Sequence, residues 1–245
     1  MKARQAGSRL FRSVLDFALP PRCGGCGAIV EELDSFCPDC WRKLEFLQGG
    51  CVRCGLPLQG TDAETCAACL ARPPRLDRIR AAVAYDDISR SIALRLKYGR
   101  KTALARTMSR YMGPLIGELP SDALLVPAPL HRRRLWSRGF NQSAIVAREL
   151  SRRTGVAVAV DALRRIRPTP PLKGMGMRQR RRTVAGAFRA NGSAELRGRT
   201  VVLVDDVFTT GSTANACARI LKRAGAGRVD LISWARVIRP TRLDL

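Results

Sequence analysis

VVLVDDVFTTGST, residues 201–213, runs from an apolar tetrad through two carboxylates into a cluster of small, mostly hydroxyl-bearing residues. The unbroken apolar run reads as a strand buried on both faces, the mark of a parallel sheet covered by helices. Asp205 and Asp206 then fall at its carboxyl end, where open α/β sheets receive their ligands. After Val207 and Phe208 come Thr209, Thr210, Gly211, Ser212 and Thr213, leading into a helix. Backbone N–H groups at such a helix start form an anion cradle, and the hydroxyls add donors. Carboxylates do not bind a phosphate directly, but they suit vicinal ribose hydroxyls or a magnesium ion. The combination points to a sugar phosphate with free hydroxyls. No GxxxxGK[ST] and no strand-following GxGxxG occurs, so a P-loop hydrolase and a dinucleotide fold both lack their fingerprint.

Outward from this stretch, strands are expected at 79–85, 124–127, 156–160, 200–205 and 228–235, and helices at 89–98, 104–117, 141–154 and 213–224. Their alternation predicts an α/β domain over 76–245 with a mostly parallel sheet flanked by helices. Cys217 stands among Ala214, Ala218 and Leu221 in the last helix and reads as packing.

Residues 1–75 are of another kind. Eight of the nine cysteines form the pairs Cys23/Cys26, Cys37/Cys40, Cys51/Cys54 and Cys66/Cys69. Each CxxC turn presents two thiolates, and two such turns complete a tetrahedron, so two structural Zn²⁺ sites are expected. Pairing in sequence order and a cross-braced pairing are both compatible with the spacing. So short a segment has little apolar core of its own, which makes the metal part of its folding. The N-terminal stretch has apolar residues at helical spacing over 10–18, interrupted by charge and without a cleavage site, so a docking helix is expected rather than a signal peptide. No apolar run approaches the roughly 18 residues of a membrane span. Free cysteines and no secretion signal suggest the cytoplasm.

The net charge of +24 is uneven. Residues 1–75 hold 10 Lys and Arg against 8 Asp and Glu, while 76–245 hold 34 against 12. Each four-thiolate zinc centre adds a net negative charge, so the N-terminal module is a poor polyanion binder. The C-terminal domain favours polyphosphorylated ligands or nucleic acid. Aromatic residues are 5% of the chain, so platforms for stacking bases are sparse.

Residues 201–213 resemble the phosphoribosyl-pyrophosphate (PRPP) motif of type I phosphoribosyltransferases. With YDD at 85–87, KYGRK at 97–101, VPAPLHRRRLWSRGFNQ at 126–142 and AGAF at 185–188, nearly the whole chain resembles the ComF (GntX-like) family. The resemblance implies a type I phosphoribosyltransferase fold joined to a small double zinc ribbon. It implies that Val207, Thr209, Thr210, Gly211, Ser212 and Thr213 hold the 5′-phosphate, with Asp205 and Asp206 on the ribose hydroxyls. A loop containing Pro127 and Ala128 would face pyrophosphate, with Arg134, Arg138 and Asn141 on its oxygens and Mg²⁺ accompanying PRPP. His131 is a poor acid beside three arginines. Residues 167–183 resemble a mobile hood, departing from the family at Leu172 and Thr183. Thr209 stands where hypoxanthine-type enzymes usually carry an acid. Two functions follow from the resemblance: phosphoribosyl transfer or PRPP sensing linked to DNA uptake, and a non-catalytic single-stranded DNA-binding or assembly component with a DNA-uptake helicase as the implied partner. Oligomeric state is not encoded in any of these motifs.

Overall fold

The computed structural model describes residues 20–58, 63–117, 119–170, 175–192 and 196–238. The helix expected at 10–18 and the departure at Leu172 lie outside them. The central sheet contains β1 (Arg78–Ala84), β2 (Leu124–Pro127), β3 (Ala157–Val158), β6 (Thr200–Phe208) and β7 (Arg228–Arg236). Its order is β1-β7-β6-β2-β3, with every pairing parallel. A second, antiparallel ribbon joins β4 (Leu163–Arg165) to β5 (Phe188–Ala190). The fold class expected from the sequence is the one observed.

Two apolar layers sandwich the sheet. On one side α3 (Asp87–Tyr98), α4 (Leu104–Met112) and α6 (Gln142–Thr154) bury Ile92, Leu96, Met108 and Leu150 against Val202, Val204 and Trp234. On the other, α8 (Ser212–Arg223) and the ribbon pack Cys217, Leu221 and Phe188 against Val201, Leu203 and Leu231. Cys217 is fully buried, as its helical position predicts.

Several element ends differ from the sequence reading for local reasons. Helix α3 starts two residues early because the Asp86 carboxylate accepts from Ser89 N–H at 2.7 Å, and Ser89 Oγ accepts from Asp86 N–H at 2.8 Å, a capping box. Helix α4 stops at Met112 and gives way to a 3₁₀ turn over Gly113–Ile116, since Pro114 has no N–H to continue the α-helical ladder. Strand β6 runs on to Phe208 rather than ending at Asp205. Residues 132–138 form α5 (Arg132–Arg138), capped by His131 Nδ1 and ended by left-handed Gly139. The supposed hood loop contains α7 (Met177–Val184), because its prolines and both of its glycines lie before it and Arg and Gln favour helix.

The cysteine-rich segment wraps the β1 edge. Its short helices are α1 (Pro38–Lys43) and α2 (Ala67–Ala71). Between them, Leu47 N–H donates to Ala82 O at 3.0 Å and Ala84 N–H to Glu45 O at 2.8 Å, with Phe46 opposite Val83 in antiparallel register. This cover satisfies an edge that would otherwise invite pairing with another chain. Cys23, Cys37 and Cys40 join the α3/α4 core, whereas Cys51, Cys54, Cys66 and Cys69 join the α8 core. One cysteine group therefore sits on each face.

Trp234 anchors α3 and the first cysteine group to β7 on one face of the sheet. It is 0% exposed, its Nε1–H donates to Ser89 O at 3.1 Å, and its ring stacks 6.2 Å from Phe36 beside the first cysteine group. Trp234→Ala should cost about 3–5 kcal/mol of stability, read as a lower urea midpoint in far-UV circular dichroism.

Candidate functional site

The end of β6 and the loop after it form a concave site lined by Asp205, Val207, Phe208, Thr209, Thr210, Gly211, Ser212, Thr213 and Ala214. Gly211 adopts φ +70° and caps α8. A Cβ there would come within 3.0 Å of Asn215 Nδ2 and of the Phe208 ring, so both the φ and the space require glycine. Thr210 Oγ1 and Ser212 Oγ lie 3.0 Å apart across the loop. Arg180 of α7 donates to Thr209 Oγ1 at 3.2 Å, which joins the hood segment to the loop.

The two carboxylates have different surroundings, because neighbouring side chains on a strand leave in opposite directions. Asp206 is buried and forms an ion pair with Lys97 at the end of α3. Burial depresses the Lys97 ammonium, but the charge and hydrogen bond of Asp206, with the Asp205 charge, together outweigh it and the net shift is upward. Asp205 opens on the loop and accepts from Ser143 Oγ at 3.2 Å and from Asp206 N–H at 2.9 Å. Burial, then the Asp206 charge, pushes the Asp205 carboxyl up to about 7.

Beside Lys97 lies a cavity of about 390 Å³, lined by Lys97, Tyr98, Arg100, Arg134, Ser137 and Arg138. Among the described residues no acidic side chain lines it. Arg134 donates to Thr169 O at 3.0 Å, and Arg138 to Gln142 Oε1 at 2.6 Å while lying 5.0 Å from the Tyr98 ring centroid. Asn141 is used differently. Its Nδ2 donates to Ala128 O at 3.1 Å and its Oδ1 accepts from Ser143 N–H at 3.0 Å, so it holds the turn after Pro127 and caps α6. Ala128 N–H in turn donates to Val204 O at 2.8 Å. His131 is half-buried, and partial desolvation followed by the charges of Arg133, Arg165, Arg134 and Arg132 depresses its pKa.

The cysteines group in sequence order: Cys23, Cys26, Cys37 and Cys40 in one cluster, Cys51, Cys54, Cys66 and Cys69 in the other, with the sulfurs of each within 4.8 Å of one another. This resolves the pairing against cross-bracing. The Cys26–Cys37 and Cys54–Cys66 sulfur separations are 3.7 Å. A regular tetrahedron with Zn–S bonds of about 2.3 Å has edges of roughly 3.8 Å, so both clusters fit structural Zn²⁺. Cys37 N–H and Cys66 N–H donate to Cys23 Sγ and Cys51 Sγ at 3.3 Å. Burial raises the Cys23 and Cys51 thiols, but these and other backbone donors bring both down to about 6. With four thiolates each, neither cluster keeps an open catalytic position.

Residues 14–70 match the model of a double zinc ribbon domain, and residues 137–243 that of a phosphoribosyl transferase domain. DNA utilization protein YhgH of Salmonella typhi is 32% identical over 208 residues, covering 82% of this chain and 90% of the relative. Competence protein F of Haemophilus influenzae is 28% identical (88% and 96% covered), and competence protein ComFC of Bacillus subtilis 27% identical (78% and 80% covered). The chain belongs to the ComF family. As in the sequence reading, this ComF protein joins a double zinc ribbon to a phosphoribosyltransferase-type domain. No helix among the described residues is long and apolar enough to cross a membrane.

Lys97, Arg180 and Asn215 are site residues that the motif reading did not single out. For Lys97 a signal existed: α3 buries Ser89, Ile92, Ala93 and Leu96, and Lys97 lies four residues after Ala93 on that buried stripe. The raised Asp205 pKa sets a pH dependence. Its folded carboxyl holds a proton that the unfolded one has released between about pH 4 and 7, so its contribution to stability falls as pH rises through that window. Asp205→Asn should flatten this dependence, with the thermal midpoint gaining on the wild type between about pH 5 and pH 8.

Proposed function

We propose that this ComF protein binds PRPP and transfers its phosphoribosyl group to an acceptor with release of pyrophosphate. The observation that carries the reading is the order of groups around the β6 exit. A cradle of small residues lies on one side of Asp205, and the cavity lined by Lys97, Arg134 and Arg138 adjoins Asp206 on the other. PRPP has a matching order: a 5′-phosphate, then ribose hydroxyls, then pyrophosphate.

In this reading the amides and hydroxyls of Thr209, Thr210, Gly211, Ser212 and Thr213 hold the 5′-phosphate beside Val207. Asp205 accepts from a ribose hydroxyl, and Asp206 orients Lys97 while lining the ribose from below. Arg134 and Arg138 bind pyrophosphate oxygens, for which a guanidinium fork is suited. Asn141 keeps the Pro127–Ala128 turn in place. The acidic pair fits hydroxyls better than an all-protein metal cage, since Asp206 is already matched by Lys97. Magnesium would accordingly accompany the pyrophosphate held by Arg134 and Arg138 and would supply neutralisation of leaving-group charge. As the anomeric C–O bond to pyrophosphate breaks, positive charge grows on the ribose, and the protein supplies placement, anion stabilisation and exclusion of water. The Arg180–Thr209 contact supports α7 as the element that closes the site.

The names borne by the relatives, competence and DNA utilization, support a place in DNA uptake or processing in a reducing compartment. A second reading, single-stranded DNA binding, is favoured by one observation. Tyr98, 72% exposed, stands among Arg100, Arg134 and Arg138, and Trp136, 83% exposed, lies on the arginine-rich helix α5. Aromatic faces amid cations are what unpaired bases stack upon. A DNA-uptake helicase is the kind of partner such a surface would serve beside.

Calorimetric titration with PRPP and Mg²⁺ tests the first reading. The wild type should bind, and Asp205→Asn with Asp206→Asn should weaken binding by about 10-fold or more with both zinc ions retained. A wild type that takes up no PRPP refutes it. For the second, oligothymidylate affinity should fall linearly with log salt concentration, and Trp136→Ala should weaken it by about 1–3 kcal/mol without changing that slope.

A further inference from the structure

The second cysteine cluster is wired to the phosphate loop, and the first is not. Arg236, the last residue of β7, is only 6% exposed. Its Nη1 donates to the Cys54 carbonyl, and its guanidinium lies 5.5 Å from the Phe208 ring centroid. Arg236 and Phe208 are register partners across β7 and β6, and Val237 N–H donates to Phe208 O at 2.9 Å. Among the described residues no carboxylate pairs with Arg236, and its Nε has no hydrogen-bond partner. A buried cation without a carboxylate is costly unless some other negative charge faces it. A four-thiolate zinc centre, with its net negative charge, stands immediately behind the Cys54 carbonyl.

A second connection reaches the same loop. Pro73 and Pro74 lack N–H groups and stiffen the exit from this cluster. Arg75 N–H then donates to Asn215 Oδ1 at 2.7 Å, while Asn215 Nδ2 donates to Gly211 O at 2.8 Å. The exit segment therefore grips the left-handed glycine of the cradle through one amide side chain. At the first cluster the corresponding arginine is Arg95, which donates to the carbonyls of Gly24 and Gly25 and touches nothing in the phosphate loop.

We propose that Arg236 and Asn215 are positioning residues that make the shape of the phosphate loop depend on metal occupancy of the Cys51/Cys54/Cys66/Cys69 site. The four thiolates that zinc gathers there supply the counter-charge that holds Arg236 against Phe208, and the fixed exit segment holds Asn215 on Gly211. Loss of that metal loosens residues 208–215, whereas loss of the first metal leaves them in place. The site thereby links sugar-phosphate binding to zinc supply. This extends the PRPP reading but does not need it for its test.

The test compares Arg236→Met, Arg236→Lys, Asn215→Ala and the control Arg95→Met in the full chain. Zinc content, amide hydrogen exchange and PRPP titration are measured for each. In Arg236→Met and Asn215→Ala, amides of 208–215 should exchange about 10-fold faster or more, while those of β2 and the zinc content stay unchanged. Arg236→Lys should restore part of the protection, and Arg95→Met should leave the loop as in the wild type. PRPP affinity should fall in step with the exchange. Unchanged loop exchange in Arg236→Met and Asn215→Ala, or equal loosening in Arg95→Met, overturns the proposal. If Arg236→Met does not fold, Asn215→Ala decides alone. If the wild type binds no PRPP, the substrate reading fails while the exchange data still decide this one.

Discussion

The pleat of β6 is the constraint on which the rest of the molecule depends. A strand in the middle of a parallel sheet has two buried faces, and each must be covered. Val202 and Val204 face α3, α4 and α6, while Val201 and Leu203 face α8 and the β4–β5 ribbon. The same alternation separates the adjacent carboxylates. Asp206 is committed to Lys97 within one layer, and Asp205 opens onto the loop before α8. Two neighbouring acids thus acquire different tasks without any change of residue type.

The cysteine clusters obey the same two-sidedness. Each completes the core on one face, and the strand-like link between them seals the β1 edge. The segment is therefore less an appendage than a bracket. Its thiolate centres also explain why arginines are tolerated so deep in the structure. Arg95 and Arg236 both end on carbonyls of CxxC turns, where a negative centre lies within a few ångströms. An excess of cations elsewhere remains available to anionic ligands.

Features encoded by neighbouring residues were legible in the sequence. The apolar tetrad before Asp205, the small residues before α8 and the CxxC spacing each depend on a few adjacent positions. Pairing of the cysteines was not legible, since equal gaps permit two arrangements and only the fold brings Cys26 to Cys37. The Lys97–Asp206 ion pair joins residues distant in the chain, and periodicity marks Lys97 as buried without naming its partner. Helices α5 and α7 escaped because they are made of arginines with almost no apolar stripe, and apolar stripes are what periodicity detects. Asn141 was legible as a polar residue at a helix start, and the cap it makes accounts for both of its amide atoms.

The position of β7 has a consequence for how the chain is made. β7 follows both β1 and β6 in the chain and lies between them, so β1 has no partner in the parallel sheet until β7 has been made. Pairings between such distant segments form late and leave strand edges open to aggregation. Residues 45–47, already synthesised and held between two metal-bound turns, occupy one side of β1 during that interval. The zinc ribbons in this way guard the nascent sheet on one flank until β7 arrives.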